Sequence, residues 1–151
     1  MVDLAKAAAI EIRPAEARDI PDLARLAGEL GYPSTPEQVR ERFASFMAWP
    51  HQAAFVAAID EGRVLGWIHL CEARTLQTDP RAEITGLVVD SNFRGGGVGR
   101  LLVERGEEWA RRRGLAAIGV RSNIIRERSH VFYERLGYAA AKTQKIFRKP
   151  L

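Results

Sequence analysis

The clearest chemical feature of the chain is a glycine-rich stretch of the kind that binds anions. Arg94-Gly95-Gly96-Gly97-Val98-Gly99-Arg100 follows a strand-like run and opens a helical pattern. Glycine lets the backbone approach a ligand without interference from Cβ, and the first turn of a helix leaves its N–H groups without partners. These groups and the positive end of the helix dipole suit a pyrophosphate, and the flanking arginines add charge at its rim.

Two common phosphate-binding loops do not fit this stretch. A P-loop ends in Gly-Lys-Ser/Thr to hold Mg²⁺, whereas Val98-Gly99-Arg100 stands here. The dinucleotide fingerprint GxGxxG also fails, because its third glycine would fall on Arg100 or Leu102. The stretch therefore predicts a phosphate ligand of another kind.

Two residues are candidates for proton transfer. Tyr133 lies in a helical pattern and is either a proton-donating phenol or a core tyrosine. Glu83 is either a general base or an exposed glutamate at the start of a strand. Strict strand alternation predicts Glu83, Thr85, Leu87 and Val89 on one face, which would put the carboxylate among apolar neighbours.

The elements that must position these residues alternate between strand and helix patterns. Periodicity predicts strands at 10–13, 53–59, 64–72, 82–89 and 115–120, and helices at 16–30, 36–49, 98–113 and 126–136, with a closing strand pair at 138–141 and 145–148. Gly31 ends the first helix, and Ser34 or Thr35 caps the second. The strand–helix–strand unit from Ala82 to Val120 predicts a parallel, right-handed crossover, so the class is α/β with a mixed sheet.

Composition indicates one globular domain, residues 1–151. Of the 151 residues, 46% are hydrophobic and 28% are charged, which is ordinary for a chain that buries a core. No apolar stretch approaches the ~18 residues that cross a bilayer, and the start of the chain has no long apolar segment. We therefore expect a soluble, cytoplasmic protein with no membrane partner.

Charge and cysteine usage narrow the partners further. The formal charge of +4 comes largely from arginines between 94 and 113, interleaved with glutamates as on a solvated helix face. Basic and aromatic residues are not interleaved, so we expect no nucleic acid. Cys71 is the only cysteine, so neither an internal disulfide nor a thiolate zinc cluster is possible, and we expect no metal.

Two spaced signatures resemble those of the GCN5-related N-acetyltransferases, the GNAT superfamily. Arg94-x-x-Gly97-x-Gly99 resembles that family's acyl-CoA pyrophosphate signature, Gln/Arg-x-x-Gly-x-Gly/Ala. The run from Ile84 to Val89 resembles its central strand, and the run from Ser129 to Tyr138 resembles its second signature, which usually ends FYxxxGF. The resemblance is close over 82–138 and holds only in outline before that.

The resemblance implies a GNAT-like acyl-CoA N-acyltransferase fold, a central and mostly antiparallel sheet with a parallel, splayed strand pair, flanked by helices. The pantetheine arm of acetyl-CoA would lie in the splayed gap, where backbone groups of Leu87, Val88 and Val89 pair with it. Amides from Gly95 through Arg100 would hold the pyrophosphate. The Val89 N–H would also stabilise the oxyanion.

The resemblance assigns further site residues. It makes Tyr133 the donor of a proton to the departing thiolate, and because family members differ in their base, a water chain is an alternative to Glu83. Many relatives carry an asparagine seven residues before the signature tyrosine; here Arg126 holds that place and Asn123 lies ten residues before it. Both are candidate cofactor contacts, as is Ser129, which replaces a common alanine.

The predicted function is therefore transfer of an acetyl group from acetyl-CoA to a primary amine of a small molecule, by direct attack in a ternary complex. A protein lysine or N-terminus as acceptor, and a non-catalytic acyl-CoA sensor, are the alternatives. The two N-terminal helices and the loop at 30–35 are expected to line the acceptor site. Five aromatic residues either shape that site or belong to the core: Tyr32, Phe43, Phe46, Trp49 and Trp67. A homodimer is left open.

Overall fold

A computed structural model describes residues 9–60 and 62–151 and divides the chain into two compact units, Met1–Val120 and Arg121–Leu151. The described part of the first unit contains strands β1 (Glu11–Pro14), β2 (Gln52–Ile59), β3 (Arg63–Ala73), β4 (Arg81–Val89) and β5 (Ile118–Val120), and helices α1 (Ile20–Leu30), α2 (Pro36–Met47) and α3 (Val98–Arg112). The second contains α4 (Glu127–Arg135). None of the helices in the described residues has the length and apolar character that a membrane span requires.

The strands of the first unit form one mixed sheet in the order β1-β2-β3-β4-β5. Neighbours from β1 to β4 pair antiparallel, whereas β5 pairs parallel with β4. Helix α3 lies between β4 and β5 in the chain, as the predicted crossover requires. The predicted fold class, a mixed sheet with one parallel strand pair, is confirmed.

A short 3₁₀ turn precedes α1, so the helix begins at Ile20 and not at the predicted Glu16. Arg13 of β1 donates two hydrogen bonds of 2.8 Å to Asp19, whose carboxylate also accepts the Glu16 N–H at 2.8 Å. This buried ion pair holds the turn in place. Gly31 ends the helix with a φ of 101°, as predicted.

Helix α2 has a complete cap of its own. The Thr35 hydroxyl accepts the Gln38 N–H at 3.2 Å, and the Gln38 side chain accepts the Thr35 N–H at 3.0 Å. Pro36 occupies the first turn, where its missing N–H costs nothing. The helix ends at Met47, two residues before the predicted Trp49, and none of its residues is buried.

The two faces of the sheet are covered by different helices. A Cβ added to Gly106 of α3 would lie 2.8 Å from Leu70, and one added to Gly66 of β3 would lie 3.2 Å from Leu102. Glycines therefore allow α3 to pack closely on one face, here called the α3 face. The opposite face, here called the α1 face, carries a cluster of buried residues: Ala15, Leu23, Leu26, Val56, Val64 and Val88.

A β-bulge interrupts β4. The register pairs Leu70 with Ile84 and then His69 with Gly86, so Thr85 is an extra residue on the β4 side. Successive residues of a regular strand point to opposite faces, and an inserted residue reverses the assignment for everything after it. The side chains before and after Thr85 therefore follow different alternations.

The predicted alignment of Glu83, Thr85, Leu87 and Val89 on one face of β4 is wrong because of the bulge. Glu83 shares the α1 face with Val88, whereas Leu87 and Val89 lie on the α3 face. Strict alternation is wrong here because Thr85 takes a place in β4 without a matching place in β3. The carboxylate and the two apolar side chains are thus on opposite sides of the sheet.

The strand before the second unit is shorter than predicted. β5 covers Ile118–Val120 and not 115–120, because its parallel ladder with β4 runs only from Ala82 to Ile84. Gly114, with a φ of 69°, ends the helical region as expected. The residues between it and β5 serve as a connection.

In the second unit, α4 is confirmed but the closing strand pair is wrong. The helix covers Glu127–Arg135, one residue shorter at each end than predicted, and Gly137 follows with a φ of 91°. Residues 138–141 and 145–148 have no regular secondary structure. Ile146 and Phe147 are 72% and 88% exposed, so the apolar residues that suggested a strand are not covered by a partner.

Candidate functional site

The glycine-rich stretch forms a turn with two left-handed glycines. Gly95 and Gly97 have φ values of 80° and 87°, and a Cβ added to either would meet no heavy atom within 4 Å. The backbone conformation, and not crowding, therefore calls for glycine here. Val98 follows as the first residue of α3 and is only 1% exposed, which anchors the helix start in the core.

The N–H groups of this turn are available to a ligand. Leu101 is the first residue of α3 whose N–H reaches back to the turn, donating to the Gly97 carbonyl at 3.1 Å. Within the described structure no protein acceptor takes the N–H groups from 95 to 100, and Gly97 provides no side-chain cap. Unpaired amides at the positive end of a helix fit the diphosphate that the sequence predicts.

Both arginines beside the turn are engaged by protein oxygens. Arg94 donates from Nε to the Val89 carbonyl at 3.1 Å, and its Nη2 lies 3.7 Å from Glu29. Arg100 donates from Nε to Glu104 at 2.8 Å. Arg100 therefore brings less net charge to the turn than predicted, while Arg94 links the turn to the end of β4.

Strand β4 presents backbone groups at the side where β5 ends. The parallel ladder stops at Ile84, but β4 continues to Val89. The Asp90 N–H donates to the Leu65 carbonyl at 2.7 Å, and antiparallel alternation then directs the backbone groups of Leu87 and Val89 away from β3. They have the direction that an extended ligand beside β4 would need.

Val88 differs from its two neighbours. It stands opposite Trp67 in the ladder, so the same alternation directs its N–H and C=O towards β3. Its side chain is 4% exposed and belongs to the core on the α1 face. Of the three residues predicted to pair with a ligand, two present backbone groups and Val88 supports them by packing.

Glu83 does not have the apolar surroundings predicted for it. Arg81 of the same strand donates from Nη2 to its Oε1 at 2.9 Å, and the Glu83 side chain is 21% exposed. A guanidinium two residues away thus shares this part of the α1 face. The role of Glu83 as the general base stays a prediction.

Polar and aromatic side chains adjoin one another where α2 meets the α1 face. His69 Nε2 lies 2.6 Å from Gln52 Oε1, and the Phe46 ring meets the imidazole edge-on with centroids 5.1 Å apart. Burial lowers the pKa of His69, so the ring is neutral at pH 7. Phe43 is 6.0 Å from Phe46, and both come from α2.

The aromatic residues predicted for the acceptor side differ in exposure. Tyr32 and Trp49 are 66% and 64% exposed, so they are not core residues. Trp67 is half-buried and covers Gly86, where an added Cβ would lie 2.7 Å from its ring. Its Nε1 is buried without a hydrogen-bond partner among the described residues.

Tyr133 lies in the second unit, on α4. Its ring contacts Phe132 and Tyr138 edge-on, with centroids 5.0 and 5.6 Å away. Burial raises the pKa of Tyr133 to about 12, against the opposing effect of the positive charge of Arg126. The phenol is therefore protonated at neutral pH, as a proton donor must be.

Three other predicted cofactor contacts lie together where α4 begins. The Asn123 side-chain oxygen accepts the Ile125 N–H at 3.2 Å, and the Asn123 backbone carbonyl accepts the Arg126 N–H at 2.9 Å. Arg126 is the N-cap residue, and its carbonyl accepts the Ser129 N–H at 3.0 Å. The Asn123 amide oxygen is thus used to shape this loop.

One residue beside the glycine turn makes a contact that the sequence did not predict. Glu29 of α1 accepts the Ser91 N–H at 2.9 Å and approaches Arg94, although 62 residues separate it from Ser91. No local pattern points to a contact across that distance. The acidic residue near the end of an amphipathic helix looked like ordinary surface.

Known proteins resemble this chain in sequence. The sequence model described as "Acetyltransferase (GNAT) family" matches residues 19–138. Mycothiol acetyltransferase of Propionibacterium freudenreichii is 34% identical over 109 residues, which are 72% of this chain and 34% of the relative. N-acetylaspartate synthetase of Rattus norvegicus is 30% identical over 59% of this chain and 29% of the relative. The matches span about a third of the length of these relatives.

Solved structures resemble the fold. The aminoglycoside antibiotic 6'-N-acetyltransferase AAC(6')-Ih of Acinetobacter baumannii superposes with a TM-score of 0.83 at 19% identity, over 95% of this chain and 99% of that one. The aminoglycoside N-acetyltransferase AAC(6')-Iy, in complex with CoA, superposes with a TM-score of 0.84 at 17% identity, over 97% and 98%. At these identities the similarity shows a shared fold.

Proposed function

Because the chain belongs to the acetyltransferase (GNAT) family, we propose that it transfers the acetyl group of acetyl-CoA to a primary amine of a small molecule. The family predicted from the two signatures is confirmed. The matched residues, 19–138, fall in both units of the structure, which supports a single N-acetyltransferase domain over 1–151. Amine and thioester react directly in a ternary complex, because aminolysis requires no nucleophile from the chain.

The observation that carries this proposal is the unpaired set of N–H groups from Gly95 to Arg100. A helix start without a cap of its own is incomplete, and an anion completes it. Acetyl-CoA, when bound, supplies both the diphosphate and the activated acetyl group. Each N–H donated to a phosphate oxygen is a charge-assisted hydrogen bond, and these are about twice as strong as neutral ones.

The end of β4 serves the reacting end of the donor. Backbone groups of Leu87 and Val89, directed away from β3, bind an extended arm as an added strand would. The Val89 N–H donates to the charge that develops on the thioester oxygen, a contribution of ~3 kcal/mol in comparable sites. Arg94 donates to the Val89 carbonyl, in the peptide that follows, at 3.1 Å and thereby ties the glycine turn to the end of β4.

Two proton transfers complete the reaction. The amine is mostly ammonium at neutral pH, since its pKa is near ~10.4, so it must lose a proton before attack. Glu83 or a water chain removes this proton. Because Glu83 is already paired with Arg81, the water chain is the better candidate for the base. Tyr133, protonated because burial raises its pKa, donates to the departing thiolate.

A small acceptor is supported by the similar proteins and by the α1–α2 segment. Mycothiol acetyltransferase and the aminoglycoside N-acetyltransferases are named for small molecules. On this chain Tyr32, in the loop between α1 and α2, and Trp49, just after α2, expose large aromatic surfaces that would bind an apolar or cationic acceptor.

Calorimetry and a thiol-release assay test the proposal. CoA should bind to the wild-type chain, and acetyl-CoA with a panel of small primary amines should release free thiol for at least one of them. The panel should include a lysine peptide and a peptide with a free N-terminus. Turnover with peptides alone would replace the small acceptor by a protein, binding without turnover would indicate a sensor, and lack of CoA binding would refute the assignment.

A further inference from the structure

A buried carboxylate stands between β4 and the glycine turn and has no part in the chemistry described so far. Asp90 is 2% exposed, and its side chain accepts the Asn92 N–H at 2.9 Å. Burial raises the pKa of Asp90, but the Asn92 N–H and Arg25 together outweigh that effect, so the pKa is lowered overall. A charged carboxylate is therefore held inside the protein at the start of the segment that leads to the turn.

The cationic partner of Asp90 comes from helix α1, which is distant in sequence. Arg25 of α1 donates from Nη1 to Asp90 at 2.8 Å, from Nη2 to the Val64 carbonyl at 3.1 Å and from Nε to Asp22 at 3.1 Å. Asp22 in turn accepts the Val64 N–H at 3.1 Å. One guanidinium thus joins α1, the start of β3 and the end of β4.

Glu29, one turn further along α1, contacts the rest of the segment. Its Oε2 accepts the Ser91 N–H at 2.9 Å and lies 3.7 Å from Arg94 Nη2. Its Oε1 lies 3.8 Å from Arg25 Nη1, so the two α1 residues also interact with each other. Helix α1 therefore holds the segment from Asp90 to Arg94 at its start, middle and end.

The glycine turn depends on such supports, because its own N–H groups make no bonds to the protein in the described structure. Its position is set from its two sides, by the buried Val98 that follows it and by the segment from Asp90 to Arg94 that precedes it. Loss of the α1 contacts would leave the second side with fewer polar anchors, chiefly the 2.7 Å bond from the Asp90 N–H to the Leu65 carbonyl.

We propose that Arg25 and Glu29 are positioning residues for the diphosphate of CoA: through Asp90, Ser91 and Arg94 they aim the N–H groups of the glycine turn. This inference rests on the proposed function. It predicts an effect confined to the diphosphate end of the donor, because Leu87 and Val89, whose backbone groups would face the pantetheine arm, are held in place by the ladder between β4 and β3.

Two acetyl donors separate positioning from general structural damage. S-acetylpantetheine carries the thioester and the arm but no diphosphate, so it does not use the turn. In Arg25→Met we expect kcat/KM with acetyl-CoA to fall about 10- to 100-fold, chiefly through KM, and with S-acetylpantetheine to change less than about twofold. Arg25→Lys should recover part of the loss, since it restores the charge but not the three-way hydrogen bonding.

Further variants complete the design. Arg18→Met is the matched control, because Arg18 is an exposed first-unit arginine paired only on the surface, with Glu16; it should be indistinguishable from wild type. Glu29→Gln keeps an acceptor for the Ser91 N–H and removes the negative charge beside Arg94. It tests the same difference between the two acetyl donors without removing a buried ion-pair partner. Melting temperatures of all variants report folding.

The outcomes divide cleanly. A selective loss with acetyl-CoA in Arg25→Met, or in Glu29→Gln if the first variant does not fold, supports positioning. Equal losses with both donors, or no loss with either, would overturn it and leave the proposed function intact. Failure of the wild-type chain to bind CoA would overturn both.

Discussion

Helices α2 and α3 begin in opposite ways. At the start of α2, Thr35 and Gln38 satisfy each other's backbone N–H groups, and Pro36 removes a donor that would otherwise need a partner. At the start of α3, Gly97 has no side chain, and the N–H groups of the turn have no protein acceptor in the described structure. The first start is capped by its own side chains, whereas the second leaves its N–H groups open to the anion that we propose.

The difference has a cost in stability for α3. Glycine at the N-cap position forgoes a side-chain cap worth about 1 kcal/mol. The left-handed φ of Gly97 further disfavours Ser and Thr, so only Asn and Asp among the usual capping residues would tolerate it. In the function that we propose, a diphosphate provides the missing acceptors at α3, whereas α2 carries an ordinary cap.

Among the substitutions that test the contrast between the two helix starts, Gly97→Glu should have the largest effect. A carboxylate at the turn would fill and repel the phosphate site, so the Kd for CoA should rise more than about 100-fold, measured by calorimetry. Gly114→Glu is the matched control: it also has a positive φ and nothing within 4 Å of an added Cβ, but lies past the other end of α3. Equal CoA affinities of the two variants would refute the placement of the diphosphate.

Tyr133→Phe should separate binding from chemistry. If the start of α3 binds the donor by backbone and Tyr133 only protonates the thiolate, kcat should fall about 10- to 100-fold while the Kd for CoA changes little. Steady-state kinetics and calorimetry on one preparation measure both quantities. An unchanged kcat would remove Tyr133 from the mechanism, and a large change in Kd would make it a binding residue.

Thr35→Ala should show that the cap of α2 is purely structural. Loss of the hydroxyl that accepts the Gln38 N–H should lower the free energy of unfolding by about 1 kcal/mol, measured by urea denaturation. The Kd for CoA should stay at the wild-type value. A matching loss of CoA affinity would mean that the two helix starts are coupled and that the contrast between them is false.

The smallest expected effect is the pH response of Tyr133. Its folded-state pKa of about 12 exceeds its ordinary value of 10.0, so the neutral phenol is favoured in the folded chain. That contribution to stability is complete below pH ~10 and is lost as the pH rises through about 12. The kcat profile should therefore show no loss assignable to this phenol below pH ~10, and a basic limb near pH 8 that disappears in Tyr133→Phe would contradict the raised pKa.

Features that depend on neighbouring residues were predictable from the sequence. The cap at Thr35, the terminator at Gly31 and the turn around Gly97 each rest on residue types within four positions. The two family signatures are equally local, and they led to the fold class and the family. Local hydrogen bonding and backbone sterics determine these features, so no tertiary knowledge is needed.

Features that depend on distant partners were not predictable. The bulge at Thr85 arises from the register between β3 and β4, and it placed Glu83 on the other face from Val89. The Arg25–Asp90 ion pair joins residues 65 positions apart. The closing strands failed for the same reason, since an alternating pattern becomes a strand only where a neighbouring strand accepts it.

No side chain of helix α2 is fully buried, although Val39 and Phe43 pack partly against the core, and this has a consequence for the amine specificity that we propose. Substitutions at exposed helix positions usually alter stability by no more than about 0.5 kcal/mol. Replacements along α2 could therefore reshape the acceptor side while the sheet, α3 and the donor site stay as they are. We therefore expect new substrate preferences to arise through α2 first, ahead of any change in the residues that we propose to hold CoA.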